Sequence, residues 1–407
     1  MKCRNCKNEL DRIFCDLQTC PPSNAMVNHS DLNQKETYFP LKVFFCEKCW
    51  LVQVDELEKA EQIFNEEYTY FSSFSTTWLE HAKSYTDYMI ERFGYDTKST
   101  IIEIASNDGY LLQFFKEKKI PVLGIEPTAN TAKVAIGKGI ECIVDFFSSK
   151  LATEKLTKKA DLILGNNVLA HVPDIRDFVS GVKIALKENG VNTFEFPHLC
   201  KLIEFNQFDT IYHEHFSYLS LHSVKSIFES EGLEIFDVQE LTTHGGSLRI
   251  FVKHISDNSK IIENSVDNLL QKERILGVNT LDYYFNFQDK VNQIKYNLFN
   301  FLIEQKINNK KVIAYGAAAK GNTLLNYCGI KGNDLIQFVV DRSPNKQNKF
   351  LPGSRIPVYD EKVLSEYKPD YIIIFPWNLK LEIESQLQYV KQWGCKMVVL
   401  IPELEIF

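Results

Sequence analysis

Two cysteine pairs constrain the front of this chain more tightly than any other feature. Cys3-x-x-Cys6 and Cys46-x-x-Cys49 each set two thiolates on one side of a tight turn, and two such turns complete a tetrahedral four-sulfur shell for zinc. The 39 residues between Cys6 and Cys46 exceed the roughly 15–20 of a compact ribbon, so an insertion projects between the turns. Cys15 and Cys20 lie inside it as further candidate ligands, but their spacing suits such a turn poorly. The first residues, Met1 to Lys7, have no apolar segment of a secretory signal. Reduced thiols and a cytoplasmic location are therefore expected, and with them metal rather than disulfides. Four thiolates fill the zinc shell, so the module reads as structural and holds no open position for chemistry.

The rest of the chain is ordinary in composition. Its 46 Lys+Arg against 53 Asp+Glu leave a net charge of −7, which argues against a protein held to nucleic acid by a basic surface. No run of about 18 apolar residues occurs, so no membrane-spanning helix is expected. A length of 407 residues leaves room for two to four domains.

Trp78, Ala82, Tyr85 and Met89 recur at spacings of four, three and four, the pattern of a helix facing a core. The apolar strand Thr100–Ile104 then breaks into the polar turn Ala105-Ser106-Asn107-Asp108-Gly109 before a second helix. Such a strand–turn–helix opens a doubly wound sheet, whose ligand sits beyond the carboxyl ends of the strands. Further strands are expected at Val122–Ile125, ending in Glu126; at Ile140–Val144, ending in Asp145-Phe146; at Leu162–Leu164, ending in Asn166-Asn167; and at Gly190–Phe196. The turn lacks G-x-G-x-x-G, so it does not encode the close backbone approach of a pyrophosphate. Acids at successive strand ends (Glu103, Asp108, Glu126 and Asp145) suit a cationic sulfonium carrying an adenosine and an amino acid. A nicotinamide cofactor stays open as the alternative at this point.

Tyr212-His213-Glu214-His215-Phe216-Ser217-Tyr218 is the densest collection of proton-transfer groups in the chain. It does not match the H-E-x-x-H of a zinc protease. In an extended segment Tyr212 and Glu214 would share one face; in a helix or irregular loop Tyr212 and His215 would converge. His171, after the fourth strand, belongs at the same ligand-binding end. His244-Gly245-Gly246-Ser247-Leu248-Arg249 is another polar turn ahead of an apolar strand. Beyond Lys253, the stretch 259–308 reads as a polar helical connector. A second α/β unit begins with strand Lys311–Tyr315 and the turn Gly316-Ala317-Ala318-Ala319-Lys320-Gly321-Asn322. Asn322 stands where a P-loop needs lysine, yet small residues at a helix N-terminus beside Lys320 could hold an anion.

These motifs, in this order, resemble the S-adenosylmethionine-dependent nucleotide-sugar C-methyltransferases along nearly the whole chain. The resemblance implies an α/β protein: a class I Rossmann-like methyltransferase sheet with an N-terminal zinc module and a second, C-terminal Rossmann-like domain. The expected divisions are 1–58, 59–255 and 256–407. Zinc is implied on Cys3, Cys6, Cys46 and Cys49, with Cys15 and Cys20 left out. The methyl donor is expected against Glu103, Ala105, Ser106, Asn107, Asp108, Glu126, Asp145, Phe146, Asn166 and Tyr70. Ala105 departs from the glycine often found in such loops; an alanine there argues against a positive φ. The implied substrate is a keto-deoxysugar linked to a nucleoside diphosphate, expected against Asn167, Tyr68, His244, Arg249, Tyr315, Gly316, Lys320 and Asn322. Methylation of a carbon next to a ketone needs a base, an oxyanion donor and alignment. His215 is expected as base, Tyr212 and His171 as enolate or sugar contacts, and Glu214 as an orienting or relay group. A monomer or weak homo-oligomer is expected, with neither nucleic acid nor membrane as partner. A nicotinamide-dependent sugar oxidoreductase and a non-catalytic zinc-containing nucleotide-binding scaffold are the competing expectations.

Overall fold

The structure is a computed structural model that describes residues 1–64 and 70–407. Its strands, in chain order, are β1 Arg12–Cys20, β2 Phe39–Phe45, β3 Val52–Val54, β4 Ile101–Ile104, β5 Val122–Ile125, β6 Glu141–Ile143, β7 Ala160–Asn166, β8 Leu186–Pro197, β9 Ser217–Tyr218, β10 Leu233–Leu241 and β11 Ser247–His254. They continue as β12 Val312–Tyr315, β13 Val339–Val340, β14 Val358–Tyr359, β15 Tyr371–Ile374, β16 Lys396–Val399 and β17 Glu405–Ile406.

These strands form three sheets among the described residues. The middle one, ordered β10-β11-β8-β7-β4-β5-β6, is parallel from β6 to β8 and carries β11 and β10 as an antiparallel edge. Strand order reverses at β4, so a crevice opens beyond its carboxyl end. Ile101, Ile102, Glu103 and Ile104 are all buried, as a strand covered by helices on both faces requires. The helix Thr76–Phe93 buries Trp78, Ala82, Tyr85 and Met89, as their spacing predicts. Ser75 caps its start by accepting from the Trp78 N–H at 3.3 Å, and Gly94, at φ +69°, ends it.

The sheet β14-β13-β12-β15-β16-β17 is a second parallel sheet with an antiparallel edge strand. Its own reversal lies at β12. Glycine is required just past β12: Gly316 has φ +89°, and a Cβ there would lie 2.6 Å from Pro376.

The third sheet, β1-β2-β3-β9, is antiparallel. Its first three strands come from the cysteine-rich front. The fourth is donated by the Tyr212–Tyr218 segment, through Val52 opposite Tyr218 and Gln53 opposite Ser217. Thus the insertion between the cysteine pairs folds into the β1–β2 hairpin and packs inward. Phe14 stacks on Phe287 at 4.6 Å and Phe45 on Tyr284 at 4.5 Å.

The expected connector is two helices. Asn264–Leu276 buries Val266 and Leu269 in the core of the middle sheet, although it lies past residue 255. Phe287–Ile307 buries Val291, Leu298 and Leu302 in a core shared by the front sheet and the C-terminal sheet.

Candidate active site

Beyond β4 the chain turns through Ala105 at φ +57° and Asn107 at φ +50°. The alanine therefore adopts the conformation it was expected to forbid. Its N–H donates to Ile125 O at 2.7 Å, tying the turn to β5 and holding a left-handed geometry that costs an L-residue about 1–2 kcal/mol. The Asn107 N–H donates to Glu126 at 2.8 Å, and the Thr128 N–H donates to the same carboxylate at 2.9 Å. The Asn107 side chain holds the segment before the Thr76–Phe93 helix: it accepts from the Ser72 N–H at 2.9 Å and donates to Tyr70 O at 3.2 Å.

These groups open onto a cleft of about 1450 Å³ between the middle and C-terminal sheets. Ala105, Asn107, Glu126, Phe146, Asn166 and Tyr70 of the expected cofactor set line it. Four others do not. Glu103 and Ser106 are fully buried, and burial beside Glu126 and Asp108 holds the Glu103 carboxyl well above the usual range. Asp108 is buried and accepts from the N–H and hydroxyl of Ser73. Asp145 pairs with Lys155 at 2.6 Å on the surface. An acid at a strand end thus serves the cleft only where the following turn brings it inward.

Across the cleft, the Tyr212–Tyr218 segment is an irregular turn, closed by the His215 N–H donating to Tyr212 O at 2.9 Å. Tyr212 and His215 converge, their rings 4.0 Å apart, and His171 packs against His215 at 4.6 Å. His215 Nδ1–H donates to Thr210 O at 2.8 Å, which fixes the tautomer and leaves Nε2 with its lone pair. Burial, then the neighbouring His171, holds His215 well below its ordinary value. Burial likewise lowers His171 to about 4, so both rings are neutral bases at neutral pH. Glu214 is buried; its carboxyl is pushed up to about 7 by desolvation, against a hydrogen bond from Asn24 at 2.6 Å. His213 instead points to the front hairpin, donating to Pro40 O at 3.2 Å.

Of the expected substrate residues, Asn167, His244 and Lys320 line the cleft. Asn167 Nδ2 donates to His244 Nε2 at 2.9 Å. Lys320 lies over the Trp377 ring at 4.2 Å and donates to Asn378 Oδ1 at 2.8 Å; burial lowers it to about 8, with Asp209 opposing. Tyr68 lies outside the described residues. Arg249, Tyr315, Gly316 and Asn322 are not at the cleft. Arg249 is buried behind it, donating to Glu195 at 2.7 Å. Tyr315 bonds Glu361 at 3.3 Å, and Asn322 donates to Ser23 O at 2.6 Å. The anion cradle expected over 316–322 is partly occupied by the protein itself, because Asp341 accepts the Ala317 N–H at 2.7 Å.

Residues with no sequence motif complete the site. His81 Nε2 lies 2.8 Å from Glu195, and its ring stacks on Trp78 at 5.0 Å. Burial alone would raise the Glu195 carboxyl, but His81, Arg249 and Thr243 hold it at about 2. Trp377, Asn378 and Lys346 also face the cleft. Only the positions of Trp78 and His81, on the cleft-side stripe of a periodic helix, could have drawn notice beforehand.

At the front, the sulfurs of Cys3, Cys6, Cys46 and Cys49 all lie within 4.8 Å of one another, with closest pairs at 3.4 and 3.5 Å. A tetrahedral zinc site with bonds of about 2.3 Å has edges of about 3.8 Å, so the four thiols fit zinc. Gln53 Nε2 donates to Cys3 Sγ at 3.3 Å as outer support. Cys15 and Cys20 sit instead in the hydrophobic core. In a second close group, His198, Cys200 and Glu273, the carboxylate is already committed: Glu273 accepts from His198 at 2.8 Å and from the N–H groups of Leu221 and His222 at 2.7 and 2.8 Å.

Comparison with known proteins matches this arrangement along the chain. The family model described as "Putative zinc binding domain" matches residues 3–64, "Methyltransferase domain" residues 78–238 and "C-methyltransferase C-terminal domain" residues 242–402. The C-methyltransferase NovU of Streptomyces niveus is 32% identical over 404 residues, spanning 99% of this chain and 96% of that protein. Among solved structures, an S-adenosylmethionine-dependent methyltransferase from Clostridium acetobutylicum covers 42% of this chain and 92% of its own, at 14% identity and a TM-score of 0.35. Magnesium protoporphyrin IX methyltransferase from Synechocystis with bound S-adenosylmethionine covers 43% of this chain and 78% of its own, at 13% identity and a TM-score of 0.34. No helix among the described residues is long and apolar enough to cross a membrane. The chain therefore belongs to the S-adenosylmethionine-dependent C-methyltransferases that carry a zinc-binding domain in front of the methyltransferase domain and a C-terminal domain of their own.

Proposed function

We propose that this enzyme methylates the carbon next to the ketone of a keto-deoxysugar linked to a nucleoside diphosphate, by way of an enolate. The observation that carries the proposal is His215: its Nδ1–H is committed to Thr210 O at 2.8 Å, leaving Nε2 as a neutral acceptor in the same cleft as the cofactor turn. Bound S-adenosylmethionine supplies an electrophilic methyl group. His215 Nε2 takes the proton α to the carbonyl; the C–H bonding pair becomes the C=C bond to the carbonyl carbon, and the carbonyl π pair moves onto the oxygen, which gains the charge. Tyr212 and His171, flanking His215 at 4.0 and 4.6 Å, steady the enolate oxygen or the sugar. Glu214, fixed by Asn24 and titrating at about 7, orients the segment or relays the proton.

The cofactor contacts are assigned to Ala105, Asn107, Glu126, Phe146, Asn166 and Tyr70, and the sugar-nucleotide to Asn167, His244 and Lys320. A cleft of about 1450 Å³ exceeds the roughly 300–1,000 Å³ of a single drug-sized site, which supports two ligands side by side. In this reading 1–58 holds the metal, 59–255 the cofactor and, through Asn167 and His244, the sugar, and 256–407, through Lys320, the diphosphate. Thermal denaturation with S-adenosylhomocysteine crossed against dTDP, GDP and CDP tests it. The expected result is stabilisation by S-adenosylhomocysteine and, additively, by one of the diphosphates, each about 2.7 kcal/mol at a hundredfold its Kd. Stabilisation by S-adenosylhomocysteine with no response to any nucleotide would reject the substrate class.

A further inference from the structure

We propose that Arg4 is a positioning residue that ties the zinc module to the two histidine-bearing segments, so that the module sets the geometry of the chemistry as well as folding the front of the chain. The inference rests on the reading of His215 and His171 above.

Arg4 stands between two of the four clustered cysteines and is 9% exposed. Its backbone is fixed at the metal site: the Arg4 N–H donates to Gln53 Oε1 at 2.9 Å, while Gln53 Nε2 donates to Cys3 Sγ at 3.3 Å. Its side chain leaves the module. Nε donates to Pro173 O at 3.1 Å, two residues past His171. Nη1 donates to Val54 O at 2.5 Å and to Phe216 O at 3.4 Å, the latter one residue past His215. The guanidinium carbon also lies 5.2 Å from the Phe216 ring centre. One rigid fork therefore joins three segments that are remote in sequence.

The geometry matters because the two imidazoles belong to turns remote in sequence: a hydrogen bond between the His171 ring and the Glu214 backbone joins them at the rings, and Arg4 joins the same turns from the side of the zinc module. His171 is in a short turn after β7 and His215 in an irregular turn before β9; their 4.6 Å contact depends on how those turns sit together. Strand pairing supports one side, with the Val54 N–H donating to Phe216 O at 3.1 Å and β3 pairing with β9. Arg4 supplies a direct tie from there to the His171 loop. A lysine has the charge but not the planar array of donors needed to hold the carbonyls of Pro173, Val54 and Phe216 together. A misplacement of about 1 Å at reacting groups costs on the order of a hundredfold in rate, which is the scale of effect such a tie controls.

The test uses the full-length zinc-loaded enzyme and its Arg4→Lys and Arg4→Met variants. Zinc content, melting temperature and S-adenosylhomocysteine binding are measured first. Imidazole NMR titrations follow, with signals assigned from His171→Asn and His215→Asn. The expected Arg4→Lys enzyme keeps one zinc per chain and binds S-adenosylhomocysteine within about twofold of the parent. Its His171 and His215 signals move towards the titration of a solvated imidazole, and kcat on a nucleoside-diphosphate keto-deoxysugar falls about tenfold to a hundredfold with KM little changed. Should Arg4→Met fail to fold, the lysine variant carries the test alone. Lower melting temperature with unaltered histidine titrations and kcat would overturn the proposal, leaving Arg4 a stabilising residue only. Full α-proton exchange by His215→Asn would remove the base reading; histidine signals displaced in Arg4→Lys would still uphold the tie.

Discussion

Ala105 has a φ of +57° that glycine adopts without steric cost. Its N–H is committed to Ile125 at 2.7 Å, so the turn cannot relax by rotating that residue. Ala105→Gly is expected to raise stability by up to about 1 kcal/mol in urea denaturation, the relieved strain being partly offset by unfolded-chain entropy. Ala105→Val is expected to lower it, because a β-branched side chain suits positive φ worst. A less stable glycine variant would show that the strain is absent. At Glu214 the sign is set by burial. Its carboxyl titrates at about 7 when folded, against 4.5 unperturbed, so the folded state binds the extra proton. This contribution is fully present below pH 4.5 and is lost as pH rises through 7. Glu214→Gln should therefore gain stability relative to the parent between pH 4.5 and 8 in parallel urea titrations; a constant difference would refute the assignment. The density of titratable groups in Tyr212–Tyr218 was legible in the sequence, and so was the convergence of Tyr212 with His215 as one of two geometries. Arg4 was not, because its bonds to Pro173 and Phe216 span 169 and 212 positions and leave no local pattern.

Among the elements, those with a strong period or a marked turn were readable: the Thr76–Phe93 helix, β4 with its polar turn, and β12 ahead of Gly316. Others carried no such mark. The β1–β2 hairpin slips register between Ile13 and Cys15 and again between Asp16 and Thr19, which breaks the alternation that betrays a strand. The helix Asn264–Leu276 looked like part of a polar connector, yet Glu273 anchors it to the middle sheet by accepting two N–H groups at the start of the helix Leu221–Ser230. Glu273→Ala would leave those donors and buried His198 without their acceptor. A loss of about 2–4 kcal/mol by chemical denaturation is expected, with zinc content unchanged. A loss below 0.5 kcal/mol would show that water replaces the carboxylate there.

For the whole molecule, the arrangement of sheets explains where the cleft lies. The middle sheet presents its strand ends to the cleft, the C-terminal sheet closes the far wall with Lys320 and Trp377, and the front sheet takes its fourth strand from the histidine-bearing segment. Three units were legible from cysteine spacing and from two strand–turn–helix starts. Their mutual packing was not, since it rests on side chains such as Phe14 and Phe287 that are ordinary apolar residues in the sequence. The central claim is that His215 removes a proton next to a ketone in this cleft. It is tested most directly by deuterium exchange: a nucleoside-diphosphate-linked keto-deoxysugar is incubated with enzyme and S-adenosylhomocysteine in D2O, and the α-carbon proton is followed by NMR. The wild-type enzyme should exchange that proton and His215→Asn should not, while still binding S-adenosylhomocysteine. Exchange at the wild-type rate by a folded, ligand-binding His215→Asn would contradict the account.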